Sequence, residues 1–258
     1  LWSGTGGMFP EAPHLYHVGD WWYLMIAEGG TERGHSVTIA RSTSPEGPFE
    51  GCPHNPLVTA RGTDRPVQNT GHGDLIQLTD GSWAMVLLGT RPRSSTRAFA
   101  PMGRETFITA VTWVDGWPVV EPVLLDERHA EVSREWAPAD GFDGEFIAVR
   151  QFPAEAADLD VRPSAARLQG DGQGMAAAKP AFFGVRQCAE QFTISATLDV
   201  AAGAGGLSIR YDEAAHFDIE ADETTVTATM HAYGLIQSWT RPRFHSGPIE
   251  LRLSADPA

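Results

Sequence analysis

Three short segments combine titratable side chains with Gly, Pro and Asn, the composition of loops at the mouth of an active site. In the first, Phe9-Pro10-Glu11-Ala12-Pro13-His14-Leu15-Tyr16, Glu11 stands close to two prolines whose fixed φ angles hold the backbone and with it the carboxyl. A carboxyl desolvated by aromatic neighbours can serve as a general acid, although a plain surface carboxylate has the same local sequence. In the second, Gln68-Asn69-Thr70-Gly71-His72-Gly73-Asp74-Leu75, the two glycines give His72 backbone freedom and close access for a ligand. That histidine can bind a metal, hydrogen-bond a carboxylate, or sit as a satisfied polar residue in a turn. The segment alone does not separate the three. In the third, Met102-Gly103-Arg104-Glu105-Thr106-Phe107, Arg104 opens a strand. Its planar guanidinium can hold a sugar hydroxyl or an acidic partner; a salt bridge to Glu105 is the plainer role.

The elements that must position these residues read as strands. Residues 21–27, 36–41, 83–88 and 106–111 are short aromatic or β-branched runs, separated by turn clusters such as Gly19-Asp20, Ser44-Pro45-Glu46-Gly47-Pro48 and Thr79-Asp80-Gly81-Ser82. No stretch keeps a 3.6-residue apolar period long enough for a helix. A weak repeat is visible: His14-Leu15-Tyr16 leads through Gly19-Asp20 into Trp21-Trp22-Tyr23, and about sixty residues on Asp74-Leu75-Ile76 leads through Asp80-Gly81 into Trp83-Ala84-Met85. Repeated units of this kind suggest propeller blades; a sandwich with a chance hairpin likeness is the alternative. Composition shifts near Leu125, and 126–143 reads as a polar, Ala/Pro-containing linker. Beyond it, residues 191–198, 206–211, 216–220 and 224–229 alternate apolar and polar, the pattern of half-buried strands in an antiparallel sandwich.

The 258 residues suffice for two ordinary domains, and 42% hydrophobic with 20% charged residues is ordinary for a globular protein. A net charge of −14 argues against nucleic acid as a partner, because phosphates demand basic patches. It fits a neutral substrate such as a sugar without selecting one. No run approaches the roughly 18 apolar residues of a membrane-spanning helix, so no membrane partner is expected. Cys52 and Cys188 cannot form a disulfide framework or a structural zinc site; buried free thiols are expected, with a lean toward a reducing, cytoplasmic compartment. Leu1-Trp2-Ser3-Gly4 reads as the middle of a loop and 249–253 as a strand just before the last residue, so a fragment cut at both ends is expected.

Taken together and in order, the motifs resemble glycoside hydrolase family 43, the β-xylosidase and α-L-arabinofuranosidase group. The likeness runs through Pro-Glu-Ala-Pro-His-Leu-Tyr at 10–16, Tyr-Leu-Met-Ile-Ala-Glu-Gly-Gly-Thr at 23–31 and Val-Thr-Ile-Ala-Arg-Ser at 37–42. It continues through Gly-Pro-Phe-Glu at 47–50, Cys-Pro-His-Asn-Pro at 52–56, Gln-Asn-Thr-Gly-His-Gly-Asp-Leu at 68–75, Gly-Arg-Glu-Thr-Phe at 103–107 and Gly-Trp-Pro-Val-Val at 116–120. The resemblance implies an all-β chain: residues 1–125 as the C-terminal part of a five-bladed propeller, 126–143 as linker, and 144–258 as an incomplete concanavalin A-like β-sandwich.

It also implies roles. Glu11 matches the family's general acid within a Pro-Glu-Gly-Pro-His-Leu-Tyr pattern; Ala12 replaces the usual glycine and demands ordinary backbone angles. His72 matches a histidine near the propeller axis that orients active-site groups and, in relatives, holds calcium through water. Arg104 matches an arginine at the floor of the sugar pocket, and Thr31 a threonine near it. The family's two catalytic aspartates match nothing here, and Asp20 and Asp74 do not take their place. The implied reaction is inverting release of terminal xylose (β-1,4) from xylo-oligosaccharides, with no required cofactor. Alternatives are arabinofuranosidase action on arabinose-substituted oligosaccharides, or a non-catalytic sugar-binding protein. Without its aspartates the chain alone is expected to be inactive, and self-association into a homo-oligomer stays open.

Overall fold

The computed structural model describes residues 2–93, 99–125, 133–162, 164–170 and 172–256. Among the described residues strands hold 49% and helix 4%, an all-β composition. The chain divides into two compact units, 1–130 and 131–258.

The first unit contains two antiparallel sheets. One runs β1 (Glu11–Val18), β2 (Trp21–Glu28), β3 (Ser36–Ser42) and β4 (Glu50–Gly51), with β5 (Val58–Thr59) also pairing with β3. The other runs β6 (Gln68–Gln77), β7 (Trp83–Thr90), β8 (Arg104–Val114) and β9 (Trp117–Val120). Each opens with a hairpin closed at Gly19 or Gly81, both at positive φ. The recurring sequence segments therefore occupy corresponding hairpins, β1–β2 and β6–β7.

Between the sheets Tyr23, Met25, Val37, Ile39, Leu75, Met85, Leu87 and Trp117 form one buried core. Burying each such side chain contributes roughly 1.5–3 kcal/mol. Because β2 and β3 are covered on both faces, they read as continuous apolar runs instead of alternating ones. Specific polar contacts fix one sheet against the other. Arg41 of β3 lies between the Trp21 and Trp117 rings, 4.3 and 4.2 Å from their centroids, and donates to the carbonyls of Asp115 and Gly116. The Tyr23 hydroxyl donates to Gly116 O at 2.5 Å. Tyr16 donates to Asp74 and accepts from the Leu75 amide. Burial, together with that bond to Asp74, pushes its phenol well above the usual range and keeps it a donor.

The second unit is built from smaller pieces. β10 (Phe146–Ile147) pairs with β13 (Gly184–Val185), and β11 (Ala157–Arg162) with β12 (Ala165–Leu168). β14 (Phe192–Leu198) pairs along its length with β19 (Ile249–Ala255). β15 (Gly205–Arg210), β16 (Ala215–Ala221), β17 (Thr225–Ala232) and β18 (Leu235–Pro242) form an antiparallel meander. Leu198, Ile249 and Leu251 pack with Leu207, Ile219, Ala221 and Val226 of that sheet in a second core. Trp136, Phe142, Phe146 and Phe183 make a separate aromatic cluster. Of the stretch read as a linker, 126–132 lies outside the described residues, while Trp136 and Phe142 are packed side chains. β18 was not anticipated: it is exposed along its whole length, so no alternation marks it. β15 and β17 are partly buried at every position, where a period of two was expected. Cys52 is buried as expected, but Cys188 is exposed.

Candidate active site

Both sheets of the first unit have the same polarity. Their first and third strands begin, and their second strands end, at one edge. Glu11 is the first residue of β1 and pairs with Ala27; Arg104 is the first residue of β8 and pairs with Thr90. Thr31 lies in the turn after β2. His72 sits in β6, which is a bulged strand and not the loop its glycines suggested. Pairing shifts register on both sides of Gly71, and again between Glu11 and His14. Bulges of this kind re-aim side chains.

The backbone at these bulges is left-handed. Phe9, Ala12, Asn69 and His72 have φ of 51°, 49°, 54° and 52°. Four of the seven non-glycine residues with positive φ among the described residues thus fall in the two segments carrying Glu11 and His72. This corrects the expectation for Ala12: it keeps the conformation that a glycine would adopt freely, and bears the steric cost.

The bulges bring the predicted side chains together. Glu11 Oε1 lies 3.8 Å from His72 Nδ1. Arg104 Nη1 donates to Thr31 Oγ1 at 3.2 Å. Glu105 does not hold Arg104, because it is engaged by Arg91 through two 2.9 Å bonds. His35, 1% exposed and with its ring 6.5 Å from that of His72, is a residue that sequence reasoning missed. Its Nδ1 donates to Asn69 O at 2.9 Å, leaving Nε2 buried and without a partner. Burial depresses its pKa, with the Asn69 carbonyl opposing; the charges of His72, Glu11 and Arg104 all act on the ring. Gly71 carries the signal that could have revealed His35: a Cβ there would lie 2.4 Å from the imidazole. The glycine next to His72 serves ring packing as well as ligand access.

Glu28 is the second residue missed. It is 1% exposed, and its carboxylate accepts from the amides of Thr5 and Gly7 and from the hydroxyls of Thr5 and Thr38. It thereby ties down the segment that leads into Glu11. Asp20 lies in the β1–β2 turn, while Asp74 is taken up by Tyr16 and lies 3.6 Å from His14.

The cluster is open, with the Glu11 and His72 side chains 53% and 41% exposed. Two shallow cavities, one beside Gln151 and Lys179 and one beside Asp222, lie in the second unit and touch none of these residues. Nor does the cluster fit direct calcium binding. Calcium takes six to eight oxygen ligands, whereas Glu11, His72 and His35 supply one carboxylate and two imidazoles. Among the described residues, the group close enough to hold a metal directly is elsewhere, at His216, Asp218 and His231. The hydrolysis carried out by family 43 glycosidases needs no cofactor.

A carboxyl at the edge of an open strand, beside an imidazole and near an arginine fork, is suited to proton transfer onto a bound sugar oxygen. The family model described as "Glycosyl hydrolases family 43" matches residues 1–118. The non-reducing end α-L-arabinofuranosidase of Bacteroides ovatus is 39% identical over 236 residues, covering 84% of this chain and 44% of that protein. A xylosidase/arabinosidase of Butyrivibrio fibrisolvens is 34% identical over 77% of the chain and 42% of its own length. The chain thus spans less than half of either relative. Among solved structures, the Bacteroides ovatus xyloglucan PUL GH43B superposes with a TM-score of 0.82 at 32% identity, covering 98% of this chain and 55% of that one. The family 43 protein BlXynB of Bacillus licheniformis gives 0.85 at 27% identity, covering 99% and 53%. Family model, sequence relatives and fold converge on one assignment: residues 1–118 are a segment of glycoside hydrolase family 43.

Proposed function

We propose that this chain is part of an inverting glycosidase that releases terminal xylose from β-1,4-linked xylo-oligosaccharides. Glu11 is the general acid, His72 orients its carboxyl, and Arg104 with Thr31 holds the sugar in place. One observation carries this reading: Glu11 meets His72 at 3.8 Å, with the buried His35 ring 6.5 Å from that of His72. The first unit is the C-terminal part of a five-bladed propeller extending to about residue 125, and the second is a concanavalin A-like sandwich. The base that activates water on the opposite face of the sugar, roughly 6.5–9.5 Å from the acid in an inverting pair, comes from outside this sequence. Alone, the chain does not turn substrate over.

A second reading, α-L-arabinofuranosidase, is favoured by the name of the 39% identical Bacteroides ovatus relative. The experiment compares kcat/KM on p-nitrophenyl β-D-xylopyranoside and α-L-arabinofuranoside, using a longer protein that contains this chain with upstream family 43 sequence. Preference for the xyloside supports the first reading and preference for the arabinofuranoside the second. Sugar binding without turnover overturns both.

A further inference from the structure

One face of the β15–β18 sheet is polar. Pairing sets Arg210, His216 and His231 in one row across β15, β16 and β17, with Ser208, Asp218 and Thr229 in the next. Strand alternation turns His216, Asp218 and His231 to the same side. The two imidazoles stack at 4.1 Å between centroids. His216 Nδ1 lies 2.6 Å from Asp218 Oδ2, and Ser208 Oγ donates to the other carboxylate oxygen at 2.6 Å. One donor atom from each of the three residues lies within 4.8 Å of the others. His216 is 2% exposed, and its Nε2 is buried with no hydrogen-bond partner. The nearby Arg210 is bound to Met175 O and lies 3.5 Å from Glu213, which offsets its charge.

We propose that His216, Asp218 and His231 bind a divalent transition-metal ion of the zinc type, tying β16 to β17. Two imidazoles and one carboxylate are a donor set for zinc and its neighbours, not for calcium or magnesium, which prefer oxygen throughout. Metal–ligand distances of about 2.0–2.2 Å put tetrahedral donors about 3.3 Å apart. To admit the ion, the His216–Asp218 contact opens by about 0.7 Å and the stacked imidazoles turn out of parallel, so that each ring plane contains the ion. Ser208 holds the carboxylate and so acts as a positioning residue.

Zn²⁺ competition against a chromophoric chelator, with the full chain, tests the site. The unaltered chain holds one tight equivalent. His231→Gln loses it, Ser208→Ala weakens it about 10–100-fold, and His72→Ala leaves it in place. A crystal grown with Zn²⁺ and measured at the zinc absorption edge gives a second readout that does not depend on any variant folding: an anomalous peak between His216 and His231. Absence of a tight equivalent, its persistence in a folded His231→Gln, or a peak only at the His35–His72 cluster overturns the proposal.

Discussion

Glu11 and His72 stand on strands of different sheets, yet Glu11 Oε1 lies 3.8 Å from His72 Nδ1. Energetics explains what this contact is for. Both side chains are about half exposed, and an exposed ion pair contributes about 0–1 kcal/mol. A left-handed non-glycine backbone costs about 1–3 kcal/mol, and four such residues, His72 itself among them, fall in the two segments that carry this pair. The local cost exceeds what the contact returns in stability. The bulges therefore serve to aim these side chains, not to stabilise the fold.

The most direct check on that strain is Ala12. With φ at 49°, Ala12→Gly should raise stability by about 0.5–1 kcal/mol, because relief of the steric cost outweighs the greater freedom gained by the unfolded chain. Urea unfolding should show a higher midpoint with an unchanged slope. A lower midpoint would mean that the backbone here is not left-handed.

Gly71 should behave in the opposite way. A methyl at this position meets the His35 ring at 2.4–2.6 Å, and the ring is buried. Gly71→Ala should cost about 1–3 kcal/mol through overpacking. Gly144, with nothing within 4 Å of a built Cβ, is the control, and alanine there should change stability by less than about 0.5 kcal/mol. Equal thermal shifts for the two variants would contradict the packing at His35.

Glu28 makes stability depend on pH in a definite direction. Burial works against its charge, but hydrogen bonds from Thr38, Thr5 and Gly7 together outweigh burial and hold the carboxyl below its ordinary value of 4.5. A depressed folded pKa adds stability that is fully present above that ordinary value and is lost as pH falls through the folded one. The stability difference between the unaltered chain and Glu28→Gln should therefore be largest near neutral pH and shrink progressively below about pH 4.5. Denaturant unfolding at a series of pH values measures it. A difference that stays constant, or grows on acidification, would contradict the account.

Legibility in the sequence followed burial and turn chemistry. β2, β3 and β7 were readable because both faces or one face meet the core, and their turns carry Gly19 and Gly81. β18 was not, since a strand with no buried face has no hydrophobic period to read. The second halves of β1 and β6 were readable as strands leading into their turns, whereas their first halves looked like loops because the Gly, Pro and Asn residues there serve bulges within strands. Glu11, His72, Arg104 and Thr31 could be named from motifs in order, but not their distances, which depend on backbone angles at Ala12 and Asn69. His35 and Glu28 are invisible as motifs; each acts through a contact distant in sequence, with the Gly71 backbone or with Thr5 and Gly7.

We propose that Glu11 donates the proton to the leaving oxygen. It is tested by kcat/KM of Glu11→Ala on xylobiose and on p-nitrophenyl β-D-xylopyranoside, in a longer protein that joins this chain to upstream family 43 sequence. General acid catalysis is typically worth about 10²–10⁴-fold, and a sugar leaving group needs that help more than p-nitrophenolate does. Glu11→Ala should show a loss in or above that range on xylobiose and a clearly smaller one on the aryl glycoside. An equal loss on both substrates, or an unaffected rate on xylobiose, would contradict it.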